Sequence, residues 1–270
     1  MTRRMQRLMA ITRGWRDGII GFALLFVIWE ISANVFRIPK YILPPPTAIW
    51  ADFMKRYPRM VDAAMATTTE IVLGFLIAIV VSIPLAILVS YSRPIERMIF
   101  PILIALQIIP KIAIAPLFIV WFGFGMMPKL LLVFLLSFFP ILVSSITGLK
   151  SVPTDILDLA RSTGSSELMV FRKIRLPHSL PAIFTGLKVA ATLATTAAIV
   201  AEFVASDKGL GYMLLEFNGN LETGMVFATV IGLSLIGIIL YAMVEFVERN
   251  VVSWHVSQRD APERQQLLGS

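Results

Sequence analysis

The stretch of sequence that decides the fold is DLARSTGSSELMVFRKIRLP, which runs from Asp158 to Pro177 between two strongly apolar blocks. Glycine readily takes the left-handed conformation that ends a helix, so Gly164 predicts a turn after a first short helix. Ser165 and Ser166 can cap a second short helix, which we expect to stop before Pro177 because proline breaks helices. A charged helix pair between apolar blocks is typical of a docking element rather than a plain connector.

The composition is that of a membrane protein with helical spans. Of the 270 residues, 57% are hydrophobic and 15% are charged, and the mean hydropathy is +0.81. A soluble domain is about 25% charged. Six apolar segments are long enough to cross a membrane, so we predict an all-α polytopic protein with six transmembrane helices. The segments cover residues 18–36, 67–90, 98–123, 130–149, 181–204 and 225–247.

The chain divides into three predicted parts. Residues 1–60 hold a basic N-terminal arm, the first span and an outer connection, in which a stiff segment from Ile42 to Thr47 precedes a short surface helix from Ala48 to Tyr57. Residues 61–247 form a transmembrane core that includes a cytoplasmic loop over residues 150–180, and residues 248–270 form a polar, mobile tail. The first apolar segment starts like a secretory signal, but no small-residue cleavage site follows it, so we predict a retained span.

Local signals predict where several elements begin. Thr67 and the two threonines after it can cap the second span, with Glu70 in its first turn. Residues 92–97 are predicted to form a tight basic turn. Ser179 can cap the fifth span, with Pro181 in its first turn.

The third apolar segment is broken by prolines at positions 101, 110 and 116, and Gln107 and Lys111 flank the middle one. Lipid offers no partner for the backbone bond that proline removes, so we expect this helix to bend and to lie beside protein or a watery path. For Lys111, contact with an anionic solute and a structural pairing are both open interpretations. A second pair of candidates lies in the fifth segment. Thr195 falls among small residues, which more often mark close helix packing, and Glu202 lies near the segment's end, where it can reach the interface, as Lys188 and Glu30 can.

The distribution of basic residues predicts the orientation. With the N-terminus in the cytoplasm, 15 of the 24 Lys and Arg residues fall on the cytoplasmic side, 7 fall outside, and Lys111 and Lys188 fall within spans. This bias follows the positive-inside rule and places both termini and the 150–180 loop in the cytoplasm. The net charge of +7 is therefore interpreted as membrane topology rather than nucleic-acid binding.

The polar stretch resembles the EAA loop of ABC importer permeases, whose pattern is E-A-A-x3-G-x9-I-x-L-P. The segment Asp158–Ala160 stands in the first three positions, and Gly164, Ile174, Leu176 and Pro177 match in register. The chain departs from the pattern with Asp for Glu and with Leu for the first Ala. Four further segments resemble the nitrate, sulfonate and taurine branch of this family: Leu43–Thr47, Leu106–Pro110, Pro116–Gly123 and Ala201–Phe203 with Gly209–Tyr212.

The resemblance implies the type I permease fold, a location in the bacterial inner membrane and a multi-subunit importer. Expected partners are a second copy of the permease, two ATP-binding cassette ATPase subunits and an external substrate-binding protein. The expected cargo is a sulfonate, taurine, nitrate or a vitamin precursor. The residues expected to couple the chain to the ATPase are Asp158, Ala160, Gly164, Ile174, Leu176 and Pro177, and those of a candidate translocation path are Gln107, Lys111, Thr195 and Glu202.

Other classes of function are less well supported. The sequence lacks a G-x4-G-K-[ST] phosphate loop, so we expect ATP hydrolysis on a partner and no enzyme activity here. Without cysteine, and with His178 and His255 alone, neither a metal nor another cofactor is expected. The alternative is a secondary transporter or channel driven by an ion gradient, which predicts internal repeats and ionisable groups at mid-membrane, where only Lys111 qualifies.

Overall fold

The structure is a computed structural model that describes residues 20, 21 and 23–252. The basic arm before residue 20, His255 and the rest of the tail lie outside the described residues. Where the described chain is regular it is helical. The helices are α1 (Ala23–Val35), α2 (Pro46–Tyr91), α3 (Arg93–Ile108), α4 (Ala115–Phe122), α5 (Met126–Lys150), α6 (Thr154–Ser162), α7 (Glu167–Val170), α8 (Leu176–Ala205), α9 (Leu210–Gly219) and α10 (Thr223–Val251). A 3₁₀ turn over Lys111–Ile114 precedes α4, and a π-turn over Phe171–Arg175 joins α7 to α8.

The helices account for the predicted spans. Among the described residues, α2, α5, the continuous helix Glu167–Val204 and α10 are long and apolar enough to cross a membrane. The pair Arg93–Ile108 and Lys111–Phe122 passes the same test if it counts as one span bent by 82°, and α1 is a shorter apolar helix. Each of the six predicted segments therefore falls on a helix or a bent helix pair, and the all-α polytopic fold is confirmed.

The chain forms two compact units. The first combines residues up to Val61 with Met213–Ile231. Ion pairs join its parts: Arg56 lies 2.5 Å from Glu222, and Arg59 lies 2.5 Å from Glu216. These pairs link the first part of α2 to α9 and to the start of α10.

The second unit contains Asp62–Tyr212 and the chain from Gly232 onward. Its core is the contact between α5 and α8, where α8 contributes a row of buried alanines at 190, 191, 194, 197, 198 and 201. Small residues let helix backbones approach closely, which matters in lipid because apolar burial gives no drive for association there. The prediction that the small-residue stretch is a packed bundle helix is confirmed.

The second span begins earlier than predicted. A single 46-residue helix, α2, contains both the predicted surface helix and the span, with a kink at Arg56 (φ −121°, ψ 16°). Thr67 therefore does not cap a helix: it lies inside α2 with its hydroxyl 3.1 Å from the Ala63 carbonyl oxygen, and the Thr69 hydroxyl donates to the Met65 carbonyl. Pro58 accounts for the kink two residues before it, because proline removes a helical hydrogen bond. No glycine or proline lies between Pro58 and Thr67, so the polar residues there do not end the helix.

Three other boundaries were also wrong. The turn predicted for residues 92–97 shrinks to one residue, because α3 begins at Arg93 with proline in its first turn. Ser179 lies inside α8, buried, and its hydroxyl donates to the Leu176 carbonyl at 2.9 Å, so neither it nor Pro181 starts that helix. The last helix continues to Val251, so Glu248 belongs to the fold rather than to a polar tail.

Candidate functional site

The turn at Gly164 is built as predicted. Gly164 has φ +75°, in the region that side chains disfavour, and it follows the last residues of α6. The Gly164 N–H donates to the Arg161 carbonyl at 3.0 Å, and the Ser165 N–H donates to the Ala160 carbonyl at 3.2 Å. These two bonds form a Schellman motif, which satisfies the carbonyls left free at a helix end and requires a left-handed residue in the middle.

The second short helix starts at a serine cap, also as predicted. The Ser166 side chain accepts a hydrogen bond from the Met169 N–H at 3.3 Å. Across the turn, Arg161 lies 3.7 Å from the carboxylate of Asp158 and 3.2 Å from that of Glu167. These exposed ion pairs contribute little stability, but they place one carboxylate from each helix next to the same guanidinium.

A small apolar cluster holds the two short helices of the loop together. Val152, Leu157 and Val170 are buried together, and Ala160 and Ile174 pack against them. Two of the motif positions, Ala160 and Ile174, therefore hold the loop's inner face. Two short helices have few backbone hydrogen bonds of their own. Burial of the Ala160 and Ile174 side chains therefore helps to fix their orientation, which is a structural reason for these positions to be apolar.

The outer face of the helix pair is exposed and partly apolar. The Asp158 side chain is 72% exposed. Around it, four apolar side chains are between 45% and 67% exposed: Ile156, Leu159, Leu168 and Met169. Sequence reasoning singled out none of these four as contact residues. Their positions in the sequence could have indicated this exposure, because they lie on the sides of α6 and α7 that face away from the buried Leu157 and Val170.

The helix does not stop before Pro177, and this prediction was wrong. The chain passes from α7 through the π-turn into α8, with the Leu176 N–H donating to the Phe171 carbonyl five residues back. A wider turn accommodates the residue that lacks an N–H, which is a common use of a π-bulge. Leu176 and Pro177 are half-buried at this junction. The second half of the 150–180 loop is thus continuous with α8 in a helix of 38 residues, Glu167–Val204.

The predicted break in the third segment is confirmed. α3 ends at Ile108, and the chain turns by 82° before Lys111–Phe122. Gln107 is exposed, and its carbonyl accepts a hydrogen bond from the Lys111 ammonium at 3.1 Å. The same ammonium lies 4.7 Å from the centre of the Phe139 ring, a cation–π distance. Lys111 therefore has the structural pairing that the sequence left open, and the break exposes Gln107 beside it.

Thr195 and Glu202 lie elsewhere on α8. Thr195 is buried, and its hydroxyl donates to the Ala191 carbonyl at 3.4 Å. Glu202 is fully buried and accepts hydrogen bonds from the Thr67 hydroxyl at 2.6 Å and the Gly211 N–H at 2.5 Å. The expectation that Glu202 reaches the interface was therefore wrong, because these bonds hold its carboxyl inside. Lys188 is paired inside the protein: its ammonium lies 2.8 Å from Glu248.

The described residues contain no group of three or more side chains that could hold a metal ion. The arrangement presents an exposed, partly apolar helix pair that has its own buried cluster. The pair is continuous with the membrane helix α8, which packs against α5.

Comparison with known proteins agrees with this arrangement. Residues 60–253 match the model of the family described as binding-protein-dependent transport system inner membrane component. A probable ABC transporter permease protein of Haemophilus influenzae is 34% identical over 86% of this chain and 95% of its own length. The formylaminopyrimidine transport permease ThiX of Halalkalibacterium halodurans is 34% identical over 88% and 95%, and the taurine transport permease TauC of Escherichia coli is 30% identical over 86% and 87%.

Among solved structures, the chain resembles an inward-facing conformation of the MetNI methionine ABC transporter. The TM-score is 0.64 at 17% identity, and the match covers 73% of this chain and 98% of that one. At this identity the likeness concerns the fold. The family match extends over most of the chain, and the resemblance to ABC importer permeases is confirmed. The chain belongs to the family of binding-protein-dependent transport system inner membrane components.

Proposed function

We propose that this chain is the permease subunit of an ATP-driven importer, and that residues 150–180 dock an ATP-binding cassette ATPase. The working unit is a dimer of the permease with two ATPase subunits and an external binding protein that delivers the solute. The chain lies in the bacterial inner membrane with both termini in the cytoplasm. It hydrolyses no ATP itself, since the phosphate loop is expected on the partner.

The observation that carries this proposal is the outer face of the α6–α7 pair. Four apolar side chains, Ile156, Leu159, Leu168 and Met169, are exposed around the Schellman turn, although the loop has its own buried cluster. Exposed apolar side chains grouped on a rigid element mark an interaction surface more often than a solvated one. Under the N-inside topology this surface faces the cytoplasm, where the ATPase is.

The coupling mechanism follows from the continuity of the helix. Closure of the ATPases on ATP displaces the docked pair, and the helix Glu167–Val204 carries that displacement into the membrane without an intervening flexible loop. α5 moves with α8 because the two are packed through small residues at close range. The bent third segment, with Gln107 and Lys111, is proposed to border the path that opens, and hydrolysis resets the inward-facing state.

The solute is proposed to be a small molecule of the sulfonate, taurine, nitrate or vitamin-precursor class. The names of related proteins support this set of solutes, since the relatives include formylaminopyrimidine, riboflavin, aliphatic sulfonate and taurine permeases. Binding assays of the partner binding protein against these four kinds of compound decide among them.

The coupling proposal is tested with two glycine variants at positive φ. Gly164 (φ +75°) and Gly123 (φ +73°, ψ −176°) both have open space around an added Cβ. Substitution by valine strains either backbone by about 1–3 kcal/mol, so Gly123 is a control with at least as much backbone strain. Gly164→Val should abolish stimulation of ATP hydrolysis by the loaded binding protein in lipid, whereas Gly123→Val, beyond the other end of α5, should retain it.

A surface variant separates docking from folding. Leu159 is exposed by 67%, so Leu159→Asp should leave the chain abundant and folded while reducing co-purification of the ATPase. Asp158→Lys, which reverses a charge on the same face, should act in the same direction. Wild-type co-purification and stimulation in both the glycine and the surface variants would show that the loop is a connector.

A further inference from the structure

A buried cluster of charged groups lies at the end of α8 opposite the coupling loop. It contains two carboxyls, Glu70 of α2 and Glu202 of α8, and one ammonium, Lys129 of α5. The side chains of Glu70 and Lys129 are 3% and 4% exposed, and Glu202 is fully buried. The cluster thus joins three membrane helices with more acidic than basic groups.

The contacts within the cluster are unequal. Lys129 forms an ion pair with Oε1 of Glu70 and donates to the Ser206 hydroxyl at 3.1 Å. Both carboxyl oxygens of Glu202 accept hydrogen bonds, from Thr67 and from the Gly211 N–H. Oε2 of Glu70 is buried, and within the described part of the chain no donor reaches it. Two contacts bring the Glu70 carboxyl beside that of Glu202. Thr67, one turn before Glu70 on α2, contacts Glu202, and Ser206, one turn after Glu202, contacts the Lys129 that pairs with Glu70.

Two ionised carboxylates cannot complete a hydrogen bond with each other, since each can only accept. Burying a second negative charge that no cation balances is also costly, and adjacent carboxyls avoid this cost by keeping one proton between them. The other cation near the cluster, Lys208, is exposed, and it is its backbone that contacts Ser206. It is therefore screened by solvent and does not replace a buried partner.

We propose that Glu70 and Glu202 share one proton and form, with Lys129, an electrically neutral latch that holds the Gly209–Gly211 turn against α2 and α8. The latch is a proton-binding site in the outer half of the protein. It acts as a positioning element for the turn that follows α8.

The turn is shaped to receive this carboxyl. Gly209 has φ +110°, and a Cβ at either Gly209 or Gly211 would collide with the Glu202 side chain. Leu210, between them, is fully buried, and its N–H donates to the Thr67 hydroxyl at 2.9 Å. Two successive backbone donors of the turn thus bind the Thr67–Glu202 pair. Since α8 begins at the coupling loop, the latch ties the far end of that same helix to α2 and α5.

Infrared spectroscopy of the full-length chain in lipid nanodiscs at neutral pH tests the shared proton directly. We expect the carbonyl-stretch band of a protonated carboxylic acid, shifted in heavy water. Glu70→Gln and Glu202→Gln should each remove the band, because the remaining carboxyl then pairs alone with Lys129. The control Glu222→Gln, which changes a half-buried pair with Arg56 outside the cluster, should leave the band intact.

Thermal unfolding of the same samples gives a second readout. Each single glutamine variant should unfold close to the wild-type temperature, since one carboxylate still balances Lys129. The double variant Glu70→Gln/Glu202→Gln should unfold at a clearly lower temperature, because it buries an unpaired ammonium. Absence of the band from the wild-type chain would overturn the proposal. So would single variants as unstable as the double variant, or a wild-type unfolding temperature that rises with added Na⁺ in place of the proton.

Discussion

The Lys188 ammonium lies 2.8 Å from the carboxylate of Glu248, and the two side chains are 18% and 6% exposed. This ion pair joins α8 to the last turn of α10, near the cytoplasmic ends of both helices in the proposed topology. Local sequence signals had assigned Lys188 to the interface and Glu248 to a tail. The pair instead fixes the end of the final helix against the helix that carries the coupling loop.

Removal of one partner should therefore destabilise the protein strongly. Lys188→Met removes the cation that lies 2.8 Å from the buried Glu248 carboxylate, at a cost of about 3–5 kcal/mol in the free energy of unfolding. The double variant Lys188→Met/Glu248→Leu should recover most of that loss. Arg249→Gln, which removes an exposed pair with Glu245, should cost less than about 0.5 kcal/mol. Thermal unfolding in nanodiscs measures all three, and equal losses for the single and double variants would contradict the prediction.

Because α5 packs closely on α8, we predict that a larger side chain at position 186 destabilises the protein. A Cβ added there would lie 2.6 Å from the Ser144 Cβ and 2.8 Å from the Pro140 carbonyl oxygen. Gly186→Val should therefore lower the stability by about 1–3 kcal/mol and reduce transport, with a smaller effect for Gly186→Ala. Gly219→Ala, where nothing lies within 4 Å, is the control for a bare helical substitution. An unchanged unfolding temperature in Gly186→Val would show that α5 and α8 lie farther apart.

The bent third segment predicts a pattern of chemical accessibility. Because the chain contains no cysteine, single cysteines can be introduced without background. Cysteines at Gln107 and Lys111 should react with small polar thiol reagents, and the rate should change when the assembled importer turns over. A cysteine at Leu103, which is 7% exposed, should stay unreactive. Inertness at both polar positions would place the break in lipid or in a sealed core.

The positive-inside bias predicts the orientation of both ends. Reporter domains fused after Asn34 and after Ser270 should report opposite sides of the membrane, because the first junction follows one span and the second follows six. Enzymatic reporters active on only one side make the measurement. Finding both fusions on the same side would contradict the six-span topology.

Much of the fold could be predicted because its signals are local. Long apolar segments specify membrane helices since lipid leaves few alternatives for the backbone. The turn at Gly164 and the cap at Ser166 depend on residues within a few positions of each other, and both appeared where expected. The predicted helix boundaries were wrong where a proline or a serine can lie either at the end of a helix or inside it. Pro177 and Ser179 lie inside α8, although a break was expected there.

The sequence by itself determined the class of protein, its apolar helices and the position of the turn at Gly164, since hydropathy and turn chemistry act over short distances along the chain. Tertiary structure alone decided which charges are buried and what they face. Glu202, Glu70 and Lys129 are far apart in sequence and meet because three helices pack together. The same holds for Lys188 and Glu248. The environment of a charged side chain depends on residues from other helices that packing places beside it. A local sequence pattern does not indicate which residues those are.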